Sequence, residues 1–137
     1  MTYLLDTCVV SDFVRGDQPV LSRIQATAPS AIAVSAITVL EVEYGLALRP
    51  ALARRLRAVV TAFFDAVTVL PLEREDALQA AALRADLKRK GLPVGAYDLL
   101  IGATALRRGL TLVTSNTAEF RHIGDLALVD WRGRPPS

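Results

Sequence analysis

Along the chain, apolar runs of three to five residues alternate with longer stretches in which apolar positions recur every three or four residues. The runs Tyr3–Leu5, 32–34, 67–70, 110–114 and 126–129 are too short for helices and read as buried strands. Between them the 3.6-residue period predicts helices over 8–14, 18–26, 36–48, 50–64, 73–90 and 93–106, the last closed by Gly109. The punctuation agrees: Gly16 and Gly91 stop helices, Ala28-Pro29-Ser30 is a turn, Pro50 opens a helix and Pro71 closes a strand. Ser35 is placed to cap the helix over 36–48, on which Ile37, Leu40, Tyr44 and Leu48 form the expected buried stripe. Glu41 shares that stripe, whereas Glu43 is turned about 200° away at about 100° per residue. From 73 to 90 the acids come first and the bases last, matching the helix macrodipole. The stretch 93–106 is apolar on nearly all sides and carries one carboxylate, Asp98, in its first turn. A helix without a polar face belongs inside a domain, and a buried Asp needs a partner or a cation. Ser115-Asn116 opens a loop or short helix toward Phe120, and Trp131 precedes a polar tail, 132–137, expected to be flexible.

Short strands alternating with helices predict an α/β fold: one domain over 1–137, with a central parallel sheet of about five short strands flanked by helices on both faces. The composition, 52% hydrophobic and 22% charged, fits a packed globule and excludes disorder. A net charge of +2 neither announces nor excludes a nucleic-acid partner. The single cysteine, Cys8, leaves no internal disulfide and no thiolate cluster, as suits a reducing compartment. The start lacks the pattern of a signal peptide, and the apolar windows are broken before the length of a membrane span. A soluble cytoplasmic protein is the expectation.

In open α/β folds, sites lie at the carboxyl ends of the strands. Asp6 ends the first predicted strand, Ser115-Asn116 follow the fourth, and Glu41 and Asp98 ride on helices that can face the same end. Three carboxylates and an amide from separate segments would form an oxygen-rich pocket for a hard cation such as Mg²⁺ or Mn²⁺. Such an ion polarises a phosphoryl oxygen and makes hydroxide available near neutral pH. Taken singly each residue has a plainer role: Asp6 as an N-cap, Glu41 as a semi-buried acid, Asp98 as an acid favoured by its helix terminus, Asn116 as a turn former. Convergence gives the metal reading its weight.

Five blocks carry a family resemblance: Leu4-Leu5-Asp6-Thr7; Ser35 through Glu41 to Gly45; Val94-Gly95-Ala96-Tyr97-Asp98 through Ala103; Leu112 through Ser115-Asn116 with Phe120; and Val129-Asp130-Trp131. Together they resemble a PIN-domain ribonuclease, more narrowly the VapC-type toxin of a bacterial toxin–antitoxin pair. The resemblance implies a parallel sheet, one or two Mg²⁺ or Mn²⁺ ions, and hydrolysis of RNA phosphodiester bonds. It also implies a homodimer and a VapB-like antitoxin that places a segment, often with an Arg, in the acidic pocket. By position it makes Asp6, Glu41 and Asp98 the catalytic acids and metal ligands. Asn116 takes the fourth catalytic place, with Thr7, Thr114 and Ser115 in support and Glu119 as a substitute acid. Asn116 departs from the family's usual Asp, Cys8 from an Asn, and Gly102 from an Ala, the last leaving room for close packing or ligand approach.

Other candidates weigh less. Arg49, Arg54, Arg55 and Arg57 could follow an RNA backbone, but a charge run, like Arg107-Arg108, Arg132 and Arg134, is more often a solvated face. His122 has no Ser or Cys nucleophile in a recognisable motif, and no Gly-rich phosphate loop is present. Two competing functions remain: a catalytically inactive PIN-like module that binds nucleic acid or protein, and a phosphotransfer enzyme using Asp6 as nucleophile. The second acid usual beside such an Asp is absent, since Thr7-Cys8 follow.

Overall fold

In a computed structural model, residues 1–132 are described. The strands are β1 (Tyr3–Leu5), β2 (Ile32–Ser35), β3 (Thr68–Leu70), β4 (Thr111–Val113) and β5 (Leu128–Val129). They form one sheet in the order β3-β2-β1-β4-β5, and every pairing is parallel. The helices are α1 (Thr7–Val14), α2 (Gln18–Gln25), α3 (Ala36–Ala47), α4 (Pro50–Ala66), α5 (Arg74–Arg89), α6 (Ala96–Arg108) and α7 (Thr117–Phe120). A short 3₁₀ turn, Pro29–Ala31, leads into β2. The expected flexible tail lies, apart from Arg132, outside the described residues.

Alternation along the strands builds two cores, one on each face of the sheet. Leu4, Ala33 and Leu112 point to one side, where α5 and α6 contribute Ala80, Leu87, Leu99, Ile101, Ala103 and Ala105. Leu5, Val34 and Val113 point to the other, against Val9, Val10, Val42, Leu46, Val60, Phe63 and Trp131. Strand β1, between β2 and β4, is therefore covered on both faces, and Leu4 and Leu5 are fully buried.

Of the expected stripe on α3 only Ile37 packs against the core. The helix buries Thr38, Val42 and Leu46, while Leu40, Tyr44 and Leu48 are 45%, 64% and 63% exposed. Two apolar stripes run along this helix, and periodicity alone cannot choose between them. The buried one looks less apolar in sequence because it begins with a threonine. Helix α6 starts at Ala96, so Pro93 to Gly95 form the approach to it, and Gly109 closes it in the left-handed conformation (φ 66°) that glycine adopts without strain.

One polar network belongs to the fold. Asp76 has no exposed side-chain surface and accepts hydrogen bonds from Arg107 Nε (2.6 Å), Arg108 Nη2 (3.1 Å) and the Glu73 backbone N–H (2.8 Å). Burial alone would raise its pKa, but these donors outweigh it and hold the carboxyl at about 2. Arg107 and Arg108 thus tie α6 to the start of α5 and are not a free solvated face.

Candidate active site

The site grows from the carboxyl ends of three neighbouring strands. Asp6 follows β1 and caps α1: its Oδ1 accepts the Thr7 backbone N–H at 2.8 Å, and the residue is 4% exposed. The pairing of Leu5 with Val113 sets Asp6 beside Thr114, a buried residue whose hydroxyl donates to Asp6 Oδ2 at 2.8 Å. The Cys8 thiol lies 3.5 Å from the same oxygen and accepts from the Ser115 hydroxyl at 3.2 Å. Burial first, then the charge of Asp6, push the Cys8 pKa up, so the thiol stays protonated at neutral pH.

From β2, Ser35 caps α3 by accepting the Ile37 N–H at 3.0 Å. This sets Glu41 toward Thr7, whose hydroxyl donates to Glu41 Oε1 at 2.7 Å. Glu43 is turned away in a two-pronged pair with Arg57, both contacts 2.8 Å. The Glu41 side chain reaches across to Thr7 from the flank of the buried face, not along the expected stripe.

Asp98 enters from the first turn of α6, and Glu119 from α7 stands beside it. A Cβ built on Gly95 would lie 3.8 Å from both Asp98 Oδ2 and Glu119 Oε1, so the two carboxylates flank that glycine. Glu119 Oε1 accepts the Gly95 N–H at 2.8 Å and its Oε2 accepts Asn116 Nδ2 at 2.6 Å. Asn116 thus serves as a donor that orients the Glu119 carboxylate, and its own backbone N–H is held by Thr114 Oγ1 at 3.0 Å. Asp98 feels the sum: burial first, then the negative charges of Asp6, Glu119 and Glu41, raise its pKa to about 7.

The structure therefore brings together Asp6, Thr7, Glu41, Asp98, Thr114, Ser115, Asn116 and Glu119. His122 is exposed, as are Arg49, Arg54 and Arg55, while Arg57 is engaged by Glu43. Sequence reasoning passed over Thr38, which is fully buried with its hydroxyl 3.1 Å from that of Thr7. Its position three before Glu41, on the same side of the helix, was the available signal. Among the described residues no three Asp, Glu, His or Cys side chains close into a complete ligand set. The donors fit an ion that takes one or two carboxylates and completes its shell with water, as Mg²⁺ does, better than a closed tetrahedral site.

Carboxylates gathered at the strand ends of a five-stranded parallel sheet, each from a different segment, describe an acidic-site α/β domain. A family model for the PIN domain matches residues 3–126, and the chain belongs to that family. Within it the chain is similar to VapC ribonucleases. It is 40% identical over 102 residues to the tRNA(fMet)-specific endonuclease VapC of Salmonella typhimurium, covering 74% of this chain and 76% of that protein. It is 33% identical over 132 residues to ribonuclease VapC2 of Haemophilus influenzae, covering 96% and 98%. The fold superposes on the DNA-bound VapBC of Salmonella typhimurium with a TM-score of 0.87 at 33% identity, over 96% of this chain and 98% of that one.

Proposed function

We propose that this chain is an endoribonuclease toxin that hydrolyses RNA phosphodiester bonds with Mg²⁺, or Mn²⁺ in its place, and is neutralised by a cognate antitoxin. The observation that carries the reading is the placement of Asp98, half-buried and facing Asp6, Glu119 and Glu41, which together raise its pKa to about 7. Like charges assembled at such a cost call for a cation. Asp6 and Asp98 are the direct ligands in this reading, with Glu41 and Glu119 as the neighbouring acids. The bound ion would neutralise the scissile phosphate and supply a water of lowered pKa. The chain's own groups do the positioning. Thr114 and the Thr7 N–H fix the two oxygens of Asp6, Thr7 fixes one oxygen of Glu41, and Asn116 with the Gly95 N–H fixes Glu119. The VapC ribonucleases among its relatives and the VapBC complex support the activity and the antitoxin. An antitoxin arginine placed here would meet the same carboxylates that serve the ion.

The exposed face of α3 supports a homodimer. Leu40, Tyr44 and Leu48 repeat at every fourth residue and are symmetric about Tyr44, so a two-fold axis there would set Leu40 of one copy against Leu48 of the other. No helix among the described residues is long and apolar enough to cross a membrane.

The test is cleavage of RNA by the purified chain with Mg²⁺, with Mn²⁺ and with EDTA, alongside expression in a bacterium with and without the neighbouring reading frame. Metal-dependent cleavage, and growth arrest that the neighbour relieves, are expected. Tight RNA or protein binding without cleavage in any metal would favour the inactive binding module instead.

A further inference from the structure

A fully buried hydroxyl, that of Thr38, is left without a role by the site as described, and its only side-chain hydrogen-bond partner among the described residues is Thr7 Oγ1 at 3.1 Å. The Thr7 hydroxyl in turn lies 2.7 Å from Glu41 Oε1. A hydroxyl carries one proton and two lone pairs. Were the Thr7 proton given to Thr38, its lone pair would face a carboxylate oxygen at 2.7 Å, which is repulsive. The 3.1 Å contact alone would let Thr7 donate to Thr38, but Thr7 has one proton and the carboxylate can only accept, so that proton goes to Glu41 and Thr38 supplies the proton between the two hydroxyls. Donation into Thr7 strengthens the bond Thr7 makes, since successive hydrogen bonds polarise one another.

We propose that Thr38 is a positioning residue for the acidic site, acting on Glu41 through Thr7; the inference rests on the metal-dependent reading above. Thr7 is the junction. Its backbone N–H holds Asp6 Oδ1 at 2.8 Å while its hydroxyl holds Glu41, so one residue sets two of the acids at once. Thr38 removes the rotational freedom of that hydroxyl from a place no substrate reaches. Residues that orient metal-binding acids through a hydrogen bond change metal affinity or activity by about 10- to 100-fold when removed. Acting one bond further out, Thr38 falls at the lower end, about 10-fold.

Thr38→Val preserves shape and removes the hydroxyl, and Thr38→Ser restores it. Mn²⁺ binding to the RNA-free chain, followed by the EPR signal of the free ion, should weaken about 10-fold in Thr38→Val and return to within about 2-fold of wild type in Thr38→Ser. In a Thr7→Val background the Thr38→Val change should add nothing. A hydroxyl that merely fills the core would lower the urea midpoint without moving Mn²⁺ affinity, or would weaken Mn²⁺ binding equally with and without the Thr7 hydroxyl; either result overturns the proposal. The urea midpoints, measured in EDTA, separate the two failures. Loss of Mn²⁺ binding by the wild-type chain itself sinks the metal reading, while additive midpoints for the Thr7 and Thr38 variants sink the relay.

Discussion

Replacing Asp98 by Asn should stabilise the metal-free protein while abolishing cleavage. The Asp98 carboxyl has a pKa of about 7 against 3.8 in an unstructured chain, because it is half-buried and faces Asp6, Glu119 and Glu41. Above neutral pH that difference sets a ceiling of about 4 kcal/mol on what the charge costs the fold. Asp98 keeps contact with solvent, which screens the repulsion and brings the cost nearer about 2 kcal/mol. Against this, a carboxylate in the first turn of α6 gains about 0.3–1 kcal/mol from the helix dipole, which Asn forgoes. Burial and repulsion together outweigh the dipole, and the variant should gain about 1 kcal/mol, or about 2–4 °C in Tm for a domain of this size. The assay is thermal unfolding at pH 8 in EDTA, at low salt and again in 0.5 M NaCl at about the ionic strength that shortens screening to a few ångströms. The gap should shrink in salt. Adding Mg²⁺ should raise the wild-type Tm and leave that of Asp98→Asn unmoved, reversing their order. An Asp98→Asn protein no more stable than wild type in EDTA would refute the crowding argument. One that cut RNA at the wild-type rate would refute the site.

Other expectations concern the frame around the site. Asp76→Ala leaves Arg107 and Arg108 without their buried acceptor and should cost about 3 kcal/mol in urea unfolding. In the wild-type protein, the depressed Asp76 pKa contributes stability that is fully present above 3.8 and is lost as pH falls through about 2. Acid titrations of wild type and Asp76→Asn should therefore converge across that window. Gly102→Ala offers about 1 kcal/mol of helix propensity, but the new Cβ would lie 2.9 Å from Ile123 Cδ1 and 3.4 Å from Phe120 Cε1 in a filled core. Overpacking of about 1–3 kcal/mol should prevail, and a rise in Tm would show the space to be open. Leu48→Glu, at a residue 63% exposed, should leave the fold intact and give a monomer by light scattering if the α3 stripe pairs with its copy.

The fold was legible because its strands are brief, apolar and separated by helices with clear stops. The places of Asp6 and Asp98 were legible because a strand end and a helix start fix where their side chains enter, whereas Glu41, in the middle of α3, was reached by a stripe most of which faces solvent. What escaped depended on partners distant in the chain. The buried face of α3 includes Thr38 because Thr7, 31 residues away, satisfies its hydroxyl, and no periodicity encodes that. Asp76 reads as a dipole-matching surface acid until Arg107 and Arg108 cover it. Between Asn116, at the N-cap of the four-residue α7, and Glu119 within it, only the local geometry decides: the amide turns onto the acid, and the acid turns toward Asp98. The room left by Gly102 is taken by Ile123 and Phe120, so it serves packing.

The position of β1 between β2 and β4 has a consequence for how the protein comes into being. β1, the middle of the sheet, is synthesised before the strands on either side of it, and Asp6 waits for a hydroxyl 108 residues further along the chain. Glu41 and Asp98 are made before β4, and Glu119 after it. A growing chain thus carries Asp6, Glu41 and Asp98 before the hydroxyl that fixes Asp6 exists, and a chain halted before residue 114 lacks both that hydroxyl and Glu119. Competence arrives late and all at once, leaving a binding partner the interval of translation in which to be ready.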